Sequence, residues 1–191
     1  MSRRSIILLA TLVPTLAIIG LLAWGVSQSG GRLGGLAINT ELGEVQVQQG
    51  EARPFNLELF SGEALTLEQM EGKIVMVDFW ASWCPPCRQE APVLAQVYSE
   101  YRGKGVQFVG IDIWDRAEDA IKYVDRYRVT YPNGLDQKGT IAIDYGVRGI
   151  PEKYFIDRKG MLVKKFVGPM DEAKLKQVLD DMLKESPSPG R

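Results

Sequence analysis

Apolar runs alternate with amphipathic stretches along most of the chain. Runs at 73–80, 106–112, 153–156 and 161–167 have the length and composition of buried strands. Stretches at 84–102, 115–128 and 171–184 have helical spacing, with Asp171 suited to cap the last, and 140–145 predicts a short helix. Two short runs, 55–60 and 64–66, predict a hairpin around Gly62. This order predicts an α/β fold, a central mixed sheet with helices on both faces and an N-terminal β-hairpin extension.

An uncharged apolar stretch from Ile6 to Val26 follows Arg3 and Arg4. As a helix it would be about 30 Å long, enough to cross a bilayer. The arginines before it favour a cytoplasmic N-terminus. We therefore expect residues 1–26 to be a cytoplasmic tip and an uncleaved signal-anchor, with the rest of the chain on the periplasmic side. A cleaved signal peptide is the alternative, although its apolar core is usually only about 7 to 15 residues long.

Composition divides the remainder into three parts. Residues 27–52 are rich in glycine and polar residues and predict a flexible linker, while 185–191 predict a disordered tail. Residues 53–184 have room for one folded domain, since 45% of the 191 residues are hydrophobic. A net charge of −1 gives no basic surface for nucleic acid.

The two cysteines of the chain stand in Trp83-Cys84-Pro85-Pro86-Cys87, directly after the predicted strand 73–80. A Cys-x-x-Cys where a strand passes into a helix indicates a redox pair. With Cys84 as the N-cap, its thiol is expected to be exposed beside the positive end of the helix dipole, which favours the thiolate. Pro85 and Pro86 would then occupy helical positions where proline costs little. This arrangement predicts Cys84 as the nucleophile and Cys87 as the resolving thiol.

Other uses of the cysteine pair fit less well. A structural disulfide that closes so short a loop gains little entropy. A metal site needs about four ligands, and the chain contains no histidine and no third cysteine. No Gly-x-Gly-x-x-Gly motif for a flavin or nicotinamide is present. We therefore expect no metal and no cofactor other than the redox-active disulfide Cys84–Cys87.

Several motifs in the same order resemble a known family. The segments 78–87 and 145–151 resemble the thioredoxin signature, over a domain from about 53 to 184. The hairpin, Cys-Pro-Pro-Cys-Arg-Gln-Glu-Ala-Pro and the segment 151–157 resemble the membrane-anchored TlpA/ResA/DsbE group, which are reductases of cytochrome c maturation. The resemblance implies a thioredoxin-like fold and a cis Pro151 that faces the cysteines. The sequence alone favours the alternative, a trans proline at the start of an edge strand.

Three acidic residues are candidates beside the cysteines. Asp78 interrupts an apolar strand, so we expect a buried acid that accepts the proton of Cys87; a carboxylate that reaches solvent is the alternative. Asparagine is common here in the resembled group, and Asp78 departs from it. Glu90 shares a helical face with Cys87, and the resemblance implies that it affects thiol ionisation; otherwise it is a solvated glutamate. Glu152 also matches the group, with a surface strand position as the alternative.

The chain is therefore expected to be an extracytoplasmic thiol:disulfide oxidoreductase. The resemblance implies reduction of protein disulfides such as that of apocytochrome c, with an integral-membrane thiol electron donor. A disulfide oxidase on the same fold and a copper chaperone are the alternatives, the latter disfavoured without histidine. The residues expected to contact substrate are Trp83, Pro85, Pro86, Ile150, Pro151 and Glu152.

Overall fold

A computed structural model describes residues 3–28, 37–39, 43–45 and 47–185. In chain order its elements are α1 Arg3–Gln28, β1 Ala37–Ile38, β2 Gly43–Val45, β3 Gly50–Glu51, β4 Asn56–Glu58, β5 Ala64–Thr66, β6 Ile74–Trp80, α2 Pro85–Tyr101, β7 Val106–Ile113, α3 Ala117–Arg126, β8 Asn133–Asp136, α4 Thr140–Asp144, β9 Gly149–Ile150, β10 Glu152–Ile156, β11 Met161–Val167 and α5 Glu172–Glu185. Short 3-10 helices occupy Glu68–Met70 and Arg102–Lys104. The predicted tail, apart from Glu185, lies outside the described residues.

The chain divides into two compact units, 1–37 and 38–191. The first unit contains α1, a helix of 26 residues with Pro14 inside it, which covers the predicted span from Ile6 to Val26. Across the part of the chain that is described, no helix has both the length and the apolar character needed to cross a membrane. The helical part of the anchor prediction is confirmed, and the membrane-spanning part is not.

The central sheet of the second unit has the strand order β2-β11-β10-β6-β7-β8, and β3 also pairs with β11. Strands β6, β7 and β8 are parallel, whereas β10 pairs antiparallel with both β6 and β11. Parallel neighbours require a crossover, and α2 and α3 provide the two that are needed. All seven residues of β6 are buried, as expected for an interior strand. The predicted mixed sheet is confirmed.

One face of the sheet carries α2, α3 and α5. Because side chains alternate along a strand, Ile74 and Met76 of β6 point to this face, where they join the core formed with α2 and α5. The Tyr101 hydroxyl donates to Asp180 at 2.8 Å and ties α2 to α5. Asp171 caps α5, because its Oδ1 accepts from the Lys174 amide at 2.7 Å. This packing fixes α2 against the sheet and with it the helix N-terminus that carries the cysteines.

The opposite face is covered by α4 and the hairpin β4–β5. Phe79 packs against Tyr145, which follows α4, at 5.5 Å between ring centroids, and Tyr145 in turn contacts Phe55. The hairpin is confirmed, with antiparallel pairing from Asn56 to Glu58. A Cβ on Gly134 of β8 would lie 2.2 Å from the Glu58 carbonyl oxygen, so only glycine allows the hairpin to approach this closely. Helices therefore lie on both faces, as predicted.

The start of the second unit corrects the predicted linker. Three short strands, β1 to β3, fall within 27–52, and β2 and β3 pair with β11. Regular secondary structure is therefore present before the predicted domain boundary at residue 53. These strands are only two or three residues long and partly exposed, so they leave no alternating pattern in the sequence. Strand β8 was also not predicted, because it contains asparagine, glycine and aspartate, which are depleted in strands.

Candidate active site

The two cysteines lie where β6 passes into α2, and they are joined by a disulfide with Cα atoms 5.3 Å apart. Cys84 is the N-cap, and its Sγ accepts from the Cys87 amide at 3.3 Å. Pro85 and Pro86 occupy the first two helical positions, where a backbone N–H would have no acceptor within the helix, so proline costs little there. The predicted N-cap geometry is confirmed.

Both cysteines are fully buried, at 0% exposure. The prediction of an exposed Cys84 thiol is therefore wrong for the disulfide form. Cys87 lies on the buried face of α2, and the bond to it turns the sulfur of Cys84 inward. The neighbours of Cys84 do reach the surface, since Trp83 and Pro85 are exposed and Pro86 is half-buried. The predicted substrate contacts through Trp83, Pro85 and Pro86 are thus sterically available.

The loop before Cys84 is held by the segment that follows β7. The Ser82 amide donates to Asp115 Oδ2 at 2.5 Å, and the Trp83 indole N–H donates to the Trp114 carbonyl at 3.2 Å. A cleft of about 580 Å³ opens beside this contact, and its lining combines aromatic rings with Arg88 and other charged side chains of both signs. The active-site loop is therefore anchored by these hydrogen bonds and is accessible from the side of the cleft.

The Ile150–Pro151 peptide bond is cis, as the family resemblance implies, and the trans alternative is wrong. Because Glu152 pairs with Phe79, Pro151 lies at the end of the sheet from which β6 leads to the cysteines. The Ile150 carbonyl, however, already accepts from the Asn39 amide at 2.8 Å. A substrate segment that pairs with this carbonyl must displace Asn39.

Glu152 lies at 1% exposure, whereas both sequence interpretations, a substrate contact and a surface strand residue, placed it at the surface. Its carboxylate forms an ion pair with Lys165 at 2.7 Å and accepts from the Tyr154 hydroxyl at 2.9 Å. It also accepts from the Arg148 amide at 3.2 Å. Glu152 therefore holds the chain on either side of the cis proline, and the predicted surface position is corrected.

The acids predicted beside the cysteines are buried together with a lysine. Asp78 and Glu90 are each 2% exposed, so the solvent-reaching alternatives for both are wrong. The antiparallel pairing of β10 with β6 places Lys153 directly opposite Asp78. Lys153 Nζ lies 3.4 Å from Asp78 Oδ1 and forms a short ion pair with Glu90 Oε1. Glu90 Oε2 accepts from the Met170 amide at 2.9 Å. We refer to Asp78, Glu90 and Lys153 as the buried charge cluster.

Electrostatics within the cluster favour a shared proton. Burial raises the pKa of Asp78, and Lys153 opposes that rise. The pKa of Glu90 is raised to about 7, mainly by burial and also by the charge on Asp78, while Lys153 and the Met170 amide oppose that rise. A carboxyl group that titrates near neutral pH can both accept and return a proton. The cluster is therefore suited to accept and return a proton.

Lys153, Tyr123 and Asp112 surround the site and were not predicted. The Tyr123 hydroxyl donates to the Cys87 carbonyl at 2.8 Å, and its ring stacks on Trp80 at 4.2 Å between centroids. Trp80, 1% exposed, is a core residue that donates to Asn133 at 3.0 Å. Asp112 is fully buried, and burial together with Asp115 raises its pKa to about 9.

Comparisons with known proteins agree with this geometry. The profile of the AhpC/TSA family matches residues 49–165. Thioredoxin-like protein YneN of Bacillus subtilis (strain 168) is 38% identical over 140 residues, covering 72% of this chain and 82% of YneN. The thiol-disulfide oxidoreductase ResA of Halalkalibacterium halodurans is 34% identical over 131 residues, covering 68% of this chain and 74% of ResA.

Solved structures give the same result. A crystal structure assigned as the thiol:disulfide interchange protein DsbE of Chlorobium tepidum is 33% identical, with a TM-score of 0.66, and the match covers 72% of this chain and 99% of that one. The relatives named for thiol-disulfide exchange thus share the part of the chain that carries Cys84 and Cys87. The chain therefore belongs to the AhpC/TSA family of thioredoxin-like proteins, within the TlpA/ResA/DsbE group, and is a thiol-disulfide oxidoreductase.

Proposed function

We propose that this oxidoreductase acts as a reductase of disulfides in extracytoplasmic proteins. The observation that supports this direction is the sparse set of hydrogen-bond donors around Cys84. The Cys87 amide lies 3.3 Å from Cys84 Sγ, whereas Pro85 and Pro86 have no N–H to offer. A thiolate with few donors is weakly stabilised, so the dithiol gives up its electrons readily.

Reduction takes two exchange steps. The Cys84 thiolate attacks the substrate disulfide, whose S–S bond breaks, and one substrate sulfur leaves as a thiolate. Cys87 then loses its proton to the buried charge cluster and attacks Cys84 Sγ, which breaks the mixed disulfide and forms the Cys84–Cys87 bond. The substrate gains the two electrons that the dithiol loses. An integral-membrane thiol donor returns the pair to the dithiol.

The disulfide of the Cys-x-x-Cys segment of apocytochrome c is the proposed substrate. The resemblance of the segments around the cysteines and Pro151 to the cytochrome c maturation group supports it. Such a segment is extended and small, so its backbone can pair beside Pro151 once Asn39 has moved from the Ile150 carbonyl. We expect the oxidised apocytochrome to be reduced faster than insulin at equal disulfide concentration. Equal rates would indicate a general reductase.

The equilibrium constant of the purified protein with glutathione tests the direction. We expect a reduction potential close to that of thioredoxin, about −270 mV, because the Cys84 thiolate has few donors. A potential near about −120 mV, which is typical of a strong oxidant, would instead assign the oxidase. The ratio of reduced to oxidised protein can be read after acid quenching and alkylation of the free thiols.

Placement outside the cytoplasm is the last part of the proposal. It is supported by Arg3 and Arg4 before the uncharged segment from Ile6 to Val26, and by the persistence of disulfides in that compartment. We expect the full-length chain to remain in the membrane fraction after an alkaline carbonate wash and to be digested by protease added from the periplasmic side. A released chain that begins near Gln28 would assign a cleaved signal peptide, and protection from the protease would contradict the placement.

A further inference from the structure

Lys153 is a fully buried lysine, at 0% exposure, in a protein interior where such residues are rare. Its Nζ contacts both acids of the buried charge cluster and lies 3.4 Å from the Gly168 carbonyl. Neither the family resemblance nor the exchange steps above assign it a role. Its cost of burial is offset by the two carboxyl groups it faces.

The cluster places one cation against two acids, and the two acids are not equivalent. Both oxygens of Glu90 are engaged, one by Lys153 and the other by the Met170 amide. Asp78 Oδ1 accepts no hydrogen bond from the described residues, although Lys153 Nζ lies 3.4 Å away. The cluster therefore keeps one buried carboxylate oxygen with a free lone pair.

Other titratable groups face the cluster from each neighbouring element. Tyr123 of α3 and Tyr131 before β8 have pKa values raised far above 10 by burial, so both are neutral phenols. Asp112 of β7 has a pKa raised to about 9 and keeps its proton at neutral pH. Glu44 and Lys174 form an ion pair at 3.5 Å at the rim of a cleft that Glu90 and Asp171 also line. Glu152 points to the opposite face of β10.

We infer that Lys153 is a positioning residue for proton transfer: its ammonium group keeps one carboxyl group of the Asp78–Glu90 pair deprotonated, so that Asp78 Oδ1 can accept the proton of Cys87. This inference rests on the proposed exchange mechanism. In that step the Cys87 S–H bond breaks, the proton moves to the carboxylate, and the thiolate attacks Cys84 Sγ. When the disulfide is reduced again, the same proton returns to Cys87.

Without the lysine, only the hydrogen bond from the Met170 amide to Glu90 opposes the burial penalty on the two acids. Both carboxyl groups then keep their protons at neutral pH, and the pair accepts none until the pH is higher. An opposite charge at this range shifts a carboxyl pKa by about 1 to 3 units. The acidic limb of the pH–rate profile for resolution should therefore move upward when Lys153 is removed.

Single turnover with a substoichiometric amount of Ellman's reagent separates the two exchange steps. Attack by Cys84 releases one thionitrobenzoate, and resolution by Cys87 releases the second. In Lys153→Met we expect the first phase to be retained and the second to slow roughly tenfold at pH 7, with its acidic limb raised by about one pH unit or more. Lys164→Met is the matched control: Lys164 of β11 is half-buried and forms an ion pair with Glu44 at 3.5 Å, and its replacement should leave both phases unchanged.

A second pair of variants keeps the test decisive if Lys153→Met does not fold. Glu90→Gln leaves Asp78 as the one acid that faces Lys153. Lys153→Met/Glu90→Gln leaves Asp78 alone, and because it removes one cation and one acid together, it adds no unpaired charge to the interior. We expect the resolution limb to lie at higher pH in the double variant than in Glu90→Gln. Coincident profiles within both pairs would show that Lys153 has only a structural role. Loss of the first phase from the wild-type protein, or its failure to reduce protein disulfides, would instead overturn the proposed function.

Discussion

Replacing Cys87 with serine is expected to trap substrate proteins on Cys84 as stable mixed disulfides and to abolish turnover. The thiol of Cys84 remains at the helix N-terminus, where the Cys87 backbone amide still donates to it, so the first attack proceeds. The second step has no nucleophile, because Cys87 is the only other cysteine of the chain. Non-reducing electrophoresis after acid quenching should show the adducts, and they should disappear with dithiothreitol.

Cys84→Ser is the matched variant and is expected to trap nothing. Its remaining thiol is on the buried face of α2 and receives no stabilisation from the N-cap position. Both variants lose the disulfide, so their stabilities can be compared directly with that of the reduced wild-type protein. If Cys84→Ser traps substrates and Cys87→Ser does not, the two roles must be exchanged.

The sequence predicts well those parts of the site that depend on local spacing. The N-cap position of Cys84 follows from a strand, a Cys-x-x-Cys motif and two prolines within a short segment, and the structure has that geometry. The burial of Asp78 follows from its place in an apolar run. The cis bond before Pro151 is different, because local sequence favours a trans proline and only the family resemblance predicted it.

Lys153 shows what local sequence does not reveal. In the segment Glu152-Lys153-Tyr154 it is adjacent to another charged residue and resembles the polar start of a strand. Its meeting with Asp78 depends on the register between β10 and β6, which are far apart in the chain. The same register turns Glu152 to the opposite face, where its partner is Lys165. A one-residue shift would exchange these two environments, and the sequence alone does not specify that choice.

The exposure of Cys84 was predicted incorrectly for a related reason. The N-cap position specifies where the Cα lies but not which way the sulfur points, and the disulfide turns the sulfur toward Cys87 on the buried face. The two strands that extend the sheet beyond β11 were missed because edge pairing needs few residues and no apolar alternation. The direction of the Cys84 sulfur and the presence of these two strands both depend on contacts made in the folded chain rather than on local composition.

Replacing Pro86 with histidine is expected to lower the pKa of the Cys84 thiol and to raise the reduction potential. An N-cap side chain normally accepts from the amides two and three residues on. Here the first of these is the proline nitrogen of Pro86, and the Cys87 amide, 3.3 Å from Cys84 Sγ, remains. Histidine restores the missing N–H and adds a group that can carry positive charge. Both changes stabilise the thiolate and therefore the reduced form.

Two further variants identify which of these effects operates. Pro86→Ala restores the N–H without a charge, so we expect part of the shift, and Pro85→Ala restores an amide at a position that an N-cap does not normally use, so we expect little. A tenfold change in the glutathione equilibrium constant corresponds to about 30 mV for this two-electron couple, and we expect at least that for Pro86→His. Titration of thiolate absorbance gives the Cys84 pKa in the same proteins. If the reduction potential of Pro86→His and Pro86→Ala is unchanged or more negative, the missing amide does not make this pair reducing. If the reduction potential shifts equally in Pro85→Ala and Pro86→Ala, the cause is helix stability rather than the N-cap hydrogen bond.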